Sequence, residues 1–471
     1  MSTVSTIAEA AAALRDGSVT SLALTERALA CSEQHDSAVG SYVRMFAETA
    51  LAAAATADKE LAAGRDRGPL HGIPLGVKDI ISTEESPTTA QSLVHDSAWH
   101  PGDAVVVQRL RAAGAVITGK LTTMEFAIGG PDASKPFPIP RNPWNLDHWA
   151  GGSSSGSGSA VATGMVLGAL GTDTAGSIRI PSAFCGITGL MPTFGRVPKS
   201  GCVPLGYTLD HIGPMTRSAE DCALMLNAMA GYDRSDPTCL DVPVEDYLAG
   251  LTGDLDGVTV GVASLVGASG PLADPSVDEV FVAAVEALTS RGARVVEVEL
   301  PLYEEMRAAN MVIMLSEALA YHQGDLASRW SEYFATTRAL VSGALSFTGA
   351  DYVQAQRVRR VAQQRMADVF AQVDLVVTPT CAAGATSLEA SDLADPDAMR
   401  TIHTQYWDCI GNPAVSVPMG FTSDGLPLGL QVAARPLAEA LALRAADAYQ
   451  HATDWHRRVP PMVAEPDLSA A

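Results

Sequence analysis

Two short segments rich in glycine and serine lie close together in this chain, each next to an apolar run. Residues 151–159 read GGSSSGSGS, and residues 171–177 read GTDTAGS. Glycine lets the backbone approach another group closely and adopt conformations that other residues avoid. Successive backbone N–H groups in such a turn can point into one concavity and bind a negatively charged oxygen. The two segments therefore predict a fold that builds an acyl-transfer site from small-residue loops.

A lysine upstream of these segments is the candidate base. Lys78 lies within residues 71–81, HGIPLGVKDII, an apolar run that predicts a strand. Lysine is rare in such positions, and its neighbour Asp79 would face the other side of a strand. From a reference pKa near 10.4, a decrease of about 3 units would leave Lys78 partly neutral near pH 7 and cost about 4 kcal/mol. The commoner alternative is a lysine that snorkels to solvent or forms a salt bridge.

Ser177 is the candidate nucleophile. It follows a strand-like run at residues 166–171 and a turn, and its small neighbours would leave the hydroxyl accessible. The surrounding sequence, AGSIR at residues 175–179, is not the GxSxG elbow of the α/β-hydrolases. None of the ten histidines is an obvious partner for this serine. Lys78 is therefore the base that this serine requires.

Three other interpretations apply to the same segments. By composition, residues 151–159 resemble a flexible linker, although the apolar run at residues 160–166 argues against one. A phosphate-binding loop would need a Gly-Lys-Ser/Thr ending, which is absent. Asp173 and Arg179 flank the second turn, and we predict that they form an ion pair that supports it.

The pattern of apolar residues along the chain predicts an α/β fold with helices on both faces of a sheet. One βαβ unit is expected from residues 258–262, 276–292 and 295–298. Helices are also predicted at residues 7–14, 22–31, 47–62 and 105–112, and further strands at residues 116–117, 375–378 and 414–417.

Composition excludes several classes of function. The chain has 471 residues, of which 47% are hydrophobic and 18% charged, which is typical of a soluble globular protein. It has neither a signal peptide nor an apolar run long enough to cross a membrane, so we predict a cytoplasmic location. A net charge of −22 argues against nucleic-acid binding. Seven scattered cysteines without CxxC spacing support neither a disulfide framework nor a zinc site.

Taken together, the motifs resemble the amidase signature family of serine hydrolases. The matching stretch runs from about His71 to Thr216 and contains GVKD, GKLTTMEFAIGG, NPWNLDHWAGGSSSGSGSAVA, LGTDTAGSIRIPSAFCGITGLMPTFGRV and LDHIGPMTRS. Weaker likeness continues in VVTPT and GNPAVSVP, at residues 376–380 and 411–418. The resemblance implies the amidase-signature fold, a large twisted mixed sheet covered by helices. It also implies one amidase domain over residues 1–471, with a signature core at about 71–216 and a helix-rich substrate-side lobe at about 301–370.

The resemblance further implies a Ser-cisSer-Lys triad. The family's spacing between its bridging serine and its nucleophile selects Ser153, which lies 24 residues before Ser177. The Gly152–Ser153 peptide would be cis. Ser177 would attack the carbonyl carbon, Ser153 would relay protons, and neutral Lys78 would be the final base. The oxyanion would be bound by the backbone N–H groups of Thr174, Ala175, Gly176 and Ser177, with alanine at position 175 where many relatives have glycine.

Five residues are predicted to contact the substrate. The backbone of Ala127 matches the position where family members contact the amide side of the substrate. Ile128 and Gly129 would extend this wall, and Tyr406 and Trp407 would offer an aromatic surface. These residues favour aryl or other apolar groups on the substrate.

The predicted function is hydrolysis of a carboxamide C–N bond, with aryl esters, anilides and carbamates (urethanes) as further substrates of the same chemistry. The alternative is the glutaminase subunit of a tRNA-dependent amidotransferase, and a third option is a catalytically inactive scaffold. Small-molecule amides or carbamates are the expected partners, with no membrane or nucleic acid, and a homodimer stays open. No cofactor and no metal is expected.

Overall fold

The computed structural model describes residues 5–100, 102–389 and 399–463. Thirteen strands occur within these ranges: β1 Tyr42–Met45, β2 Pro74–Lys78, β3 Val116–Leu121, β4 Arg141–Asn142, β5 Asn145–Trp149, β6 Gly168–Asp173, β7 Thr188–Met191, β8 His211–Thr216, β9 Thr259–Val262, β10 Arg294–Glu297, β11 Leu375–Pro379, β12 Ala414–Phe421 and β13 Pro427–Ala434.

The same ranges contain fourteen α-helices. They are α1 Ile7–Asp16, α2 Ser21–Val39, α3 Ala47–Ala62, α4 Val105–Ala112, α5 Ser155–Thr163, α6 Arg179–Cys185, α7 Ala219–Met229, α8 Val266–Ser269, α9 Ser276–Ser290, α10 Tyr303–Arg329, α11 Ala335–Gly343, α12 Gly349–Phe370, α13 Gln405–Ile410 and α14 Glu439–Ala452. None of these helices is both long and apolar enough to span a bilayer.

Eleven strands form one mixed sheet, in the order β1-β3-β2-β6-β8-β7-β12-β13-β11-β9-β10. Parallel pairing joins β2 to both β3 and β6, and joins β9 to both β10 and β11. The remaining neighbours in this sheet are antiparallel. The predicted α/β class is therefore confirmed, and the mixture of parallel and antiparallel pairs agrees with the fold that the family resemblance implies.

Local sequence signals set several element boundaries. Helix α1 begins after Thr6, whose hydroxyl accepts a hydrogen bond from the Glu9 N–H at 3.1 Å while the Glu9 carboxylate accepts one from the Thr6 N–H. It ends at Gly17, in the left-handed region at φ +76°. The βαβ unit predicted near residue 280 is confirmed, because β9 and β10 are parallel neighbours joined through α9.

The sheet brings the candidate reactive groups to one edge. Lys78 is the last residue of β2 and Asp173 the last of β6, and these two strands are parallel neighbours. Their carboxyl ends therefore lie together, which is where open α/β sheets commonly place their sites. The turn that contains Ser177 leaves the sheet at the same edge, and the helical segment α10–α11 contributes side chains to the pocket there.

Candidate functional site

Lys78 is fully buried and surrounded by hydroxyl groups. Its Nζ donates hydrogen bonds to Ser153 Oγ at 2.7 Å, Ser154 Oγ at 2.9 Å and Thr172 Oγ1 at 2.7 Å. Burial lowers the pKa of Lys78 to about 7. The snorkelling interpretation is wrong, because the side chain is 0% exposed. The carboxylate of the neighbouring Asp79 lies 3.2 Å from Lys120 Nζ and pairs with that lysine instead.

Two of the three hydroxyls around Lys78 lie outside the predicted triad. Ser154 Oγ donates to the Thr172 carbonyl at 3.1 Å, so its own hydrogen is committed and it can only accept from Lys78. Thr172 reaches Lys78 from β6. The only sequence signal for Thr172 is a hydroxyl at the end of an apolar strand, five residues before the candidate nucleophile.

The two candidate serines of the relay meet at one pocket. The Gly152–Ser153 peptide is cis, as the family resemblance implies. Ser153 and Ser177 line the same cavity, and the Ser154 N–H donates to the Ser177 carbonyl at 3.2 Å, which joins the two segments. Both serines lie in the described part of the chain, and no hydrogen bond joins their hydroxyl groups. The residues of the first segment from Ser155 onward form helix α5, so the linker interpretation is wrong.

The predicted set of oxyanion donors needs one correction. The Gly176 N–H donates to Asp173 Oδ1 at 2.5 Å and is therefore committed to that carboxylate. The N–H groups of Thr174, Ala175 and Ser177 have no hydrogen-bond partner within the described ranges. These three residues also line the pocket, which leaves three candidate donors instead of four.

A buried charge network lies beneath this turn. Arg179 Nε contacts Asp173 Oδ2 at 2.9 Å, and its Nη2 contacts Asp408 Oδ2 at 2.5 Å, so the predicted ion pair is present. Although burial raises the pKa of Asp173, the Arg179 guanidinium keeps it below its usual value. Burial raises the pKa of Asp408 well above its usual value. Arg179 Nη1 also donates to Gln431 Oε1 at 2.7 Å.

The pocket in front of Ser177 has a volume of about 620 Å³. Its described walls are mainly apolar, and they include no charged side chain. They come from the signature core, the helical lobe and the segment after it: Met124, Ala127, Ile128, Gly129, Trp149, Gly152, Ser153, Thr174, Ala175, Ser177, Ile180, Leu205, Met311, Met314, Leu315, Leu340, Met399 and Ile402. Ala127, Ile128 and Gly129 are thus at the site as predicted.

Tyr406 and Trp407 do not form a substrate surface, and that prediction is wrong. Both lie on α13 with 0% exposure. Tyr406 Oη donates to the Pro301 carbonyl at 3.0 Å, and the Trp407 ring lies near Phe370. A six-residue helix buried on all sides places these aromatic rings in the core. Methionine and leucine side chains of α10 and α11 take the place at the pocket that the aromatic pair was expected to fill.

Comparisons with known proteins agree with this geometry. A family model described as Amidase matches residues 23–443. The chain belongs to the amidase family. Amidases of this family hydrolyse C–N bonds, and the family resemblance in the sequence is confirmed. A glutamyl-tRNA(Gln) amidotransferase subunit of Methylococcus capsulatus is 41% identical over 486 residues, which cover 98% of this chain and 99% of that protein.

Two solved structures from the family are also similar. The peptide amidase of Stenotrophomonas maltophilia is 31% identical, with a TM-score of 0.84 over 97% of this chain and 98% of that one. The corresponding glutamyl-tRNA(Gln) amidotransferase subunit of Thermotoga maritima is 30% identical, with a TM-score of 0.76 over 90% of each chain. These relatives give no support to carbamate hydrolysis. Within the described residues, no group of three metal-ligating side chains lies close enough to hold an ion.

Proposed function

We propose that this amidase hydrolyses the C–N bond of an amide with an apolar group next to the scissile bond, through an acyl-enzyme on Ser177. One observation carries the proposal: a pocket whose described walls hold no charged side chain opens onto Ser177 and Ser153, and Ser153 is hydrogen-bonded to a buried lysine with a pKa of about 7. The chain then acts as a single amidase domain, in which the core at about 71–216 reacts and the lobe at about 301–370 selects.

Acylation begins when Ser177 Oγ attacks the carbonyl carbon of the amide. The Ser177 proton passes to Ser153 Oγ as the Ser153 proton passes to neutral Lys78. The oxygen that becomes negatively charged is held by the N–H groups of Thr174, Ala175 and Ser177. The free protein lacks a hydrogen bond between the two serine hydroxyls, and such catalytic bonds commonly tighten only when substrate is bound.

The leaving group then departs as a neutral amine. Lys78 returns its proton to Ser153, whose own proton goes to the leaving nitrogen as the C–N bond breaks. Water attacks the resulting ester, and its proton follows the same relay to Lys78. Collapse of the second tetrahedral intermediate returns a proton to Ser177 Oγ and releases the carboxylic acid. Ser154 and Thr172 each take a hydrogen bond from the two N–H bonds of neutral Lys78, which leaves the lone pair for the Ser153 hydrogen.

The apolar walls support an apolar substrate group. Met311, Met314 and Leu340 face the reacting serines across the pocket, and methionine side chains adapt to ligands of different shape. Anilides therefore fit the proposal, and aryl esters fit because the same acyl-enzyme forms from them. Carbamates share the acyl chemistry but have no further support.

The second candidate function is that of a glutaminase subunit in a tRNA-dependent amidotransferase. The 41% identity to the amidotransferase subunit of Methylococcus capsulatus favours it. Glutamine carries a carboxylate and an ammonium group, and a site that buries them needs charged or strongly polar partners. The described walls of this pocket provide no such charge, so the apolar amide is the better fit.

A substrate panel tests the choice. Purified protein is given an anilide, a primary aliphatic amide, an aryl carbamate and glutamine, and kcat/KM is measured for each. We expect the anilide to be hydrolysed with a kcat/KM at least about tenfold above that of glutamine, because the pocket walls offer apolar contact and no charge. Glutamine as the best substrate would overturn the proposal and favour the glutaminase function. The matched control is Ser177→Ala, which removes the nucleophile and should be inactive on every substrate.

A further inference from the structure

The peptide that joins Ala175 to Gly176 is held at both of its polar ends. Its N–H, on Gly176, donates to Asp173 Oδ1 at 2.5 Å. Its carbonyl, on Ala175, accepts a hydrogen bond from the Thr404 hydroxyl at 2.6 Å. Both partners are buried. This peptide therefore has one orientation, and both ends of its dipole are committed to protein groups.

The peptides on either side are free to serve the substrate. They carry the N–H groups of Ala175 and Ser177, which have no partner in the parts of the chain that the structure describes. Ala175 and Ser177 line the pocket, whereas Gly176 does not. Fixing the middle peptide thus fixes the direction in which its two neighbours present their N–H groups.

Thr404 is itself fixed and lies close to the turn. Its carbonyl accepts a hydrogen bond from Arg179 Nη1 at 3.1 Å, so the guanidinium that holds Asp173 also holds the Thr404 backbone. A Cβ on Gly176 would collide with the Thr404 hydroxyl, and Gly176 has a φ of +123°. Only glycine allows this approach.

We infer that Thr404 is a positioning residue for the oxyanion hole: its hydroxyl orients the Ala175–Gly176 peptide so that the Ala175 and Ser177 N–H groups meet the developing oxyanion. The inference rests on the proposed function. It also explains why a residue far along the chain affects chemistry at Ser177. Thr404 acts through the turn and does not contact the reacting atoms, so its loss should change the rate of the chemical step and leave substrate binding intact.

The test compares Thr404→Val, Thr404→Ser and wild type. Valine matches threonine in shape and lacks the hydroxyl, whereas serine keeps it. Two readouts are measured: kcat and KM for an anilide, and the rate constant for labelling of Ser177 by a fluorophosphonate, whose phosphoryl oxygen occupies the same hole. We expect Thr404→Val to lower kcat and the labelling rate constant about 10- to 100-fold with KM within about twofold, because loss of one oxyanion donor costs about 10²- to 10³-fold. Thr404→Ser should retain nearly the wild-type rates.

Thr216→Val is the matched control. Thr216 is a buried threonine on β8 whose hydroxyl donates to the Ser218 carbonyl at 2.8 Å, away from the pocket. Its activity should match that of wild type. Labelling of Thr404→Val at the wild-type rate, or a rise in KM with unchanged kcat, would overturn the inference. If the valine variant does not fold, Thr404→Ala gives the same comparison. A wild type that is labelled but cleaves no amide would refute the proposed function alone.

Discussion

The two sides of the pocket are built from opposite kinds of residue. On the sheet side, Lys78 is enclosed by three hydroxyls, and the turn before Ser177 is fixed by Asp173. On the lobe side, Met311, Met314 and Leu340 offer only apolar surface. Hydrogen bonds have fixed distances and directions, so each polar position admits few residue types. Apolar contacts depend mainly on shape and volume, so many residue types can serve there.

This difference explains how one family can keep a reaction while its members differ in substrate. The chain is similar to both a peptide amidase and a glutamyl-tRNA(Gln) amidotransferase subunit over nearly its full length. Changes on the lobe side alter which groups fit, and they leave Lys78 and its partners untouched. We therefore expect substitutions on the sheet side to change kcat by orders of magnitude, and those on the lobe side to change KM by small factors.

Removal of the bridging hydroxyl should have the largest effect. Ser153→Ala breaks the path from Ser177 to Lys78, and we expect kcat for an anilide to decrease about 10²- to 10⁴-fold, the usual contribution of general acid–base catalysis. Ser155→Ala is the matched control, because the Ser155 hydroxyl is buried with no hydrogen-bond partner within the described ranges. Steady-state kinetics of both variants test the relay, and equal activity of the two would contradict it.

Loss of the central guanidinium should mainly affect stability. Arg179→Met leaves the Asp173 carboxylate buried without its cation, and removing one partner of a buried pair costs about 3–5 kcal/mol. We expect a decrease of that size in the free energy of unfolding, measured by urea denaturation. Arg329→Met, which breaks an ion pair with Glu332, should change this free energy little. Similar values for the two variants would show that the buried network does not stabilise the turn.

The pH profile reports on Lys78 directly. The lysine accepts a proton only in its neutral form, and burial lowers its pKa to about 7. We expect kcat/KM to be constant well above this pKa and to decrease about tenfold per pH unit well below it. The sign follows because acid adds a proton to the base. A profile that is flat from about pH 5 to about pH 9, measured with an anilide of constant charge, would exclude Lys78 as the titrating base.

The sequence predicted the sheet side much better than the lobe side. Lys78 and Ser177 could be found because lysine in an apolar strand and a serine in a glycine-rich turn are unusual locally. The contact from Thr404 to Ala175 could not be found, since it joins residues 229 positions apart through a backbone carbonyl. No pattern in the turn itself distinguishes the Gly176 N–H, which Asp173 takes, from those of its neighbours.

Fold prediction failed for a similar reason where a short element is buried on every side. Helix α4 has the bounds that the sequence predicts, because its apolar residues repeat with helical spacing along one face. Helix α13 has six residues, all of them buried, so periodicity gives no direction for Tyr406 or Trp407. An aromatic pair just before the GNPAVSVP motif suggested a pocket wall, whereas packing against Phe370 places Trp407 in the core.

A substitution on the lobe side should have the smallest effect and the sharpest dependence on substrate. Leu340→Ala removes apolar contact from the wall opposite Ser177, and one buried methylene group is worth about 0.8 kcal/mol. Because Leu340 is half-buried, we expect KM for an anilide to rise about three- to tenfold with kcat nearly unchanged. Leu345→Ala, at a position 74% exposed just after the same helix, should leave KM unchanged. A primary aliphatic amide too small to reach Leu340 should not distinguish the variants, whereas an equal rise in KM for both amides would mean that the lobe does not select the substrate.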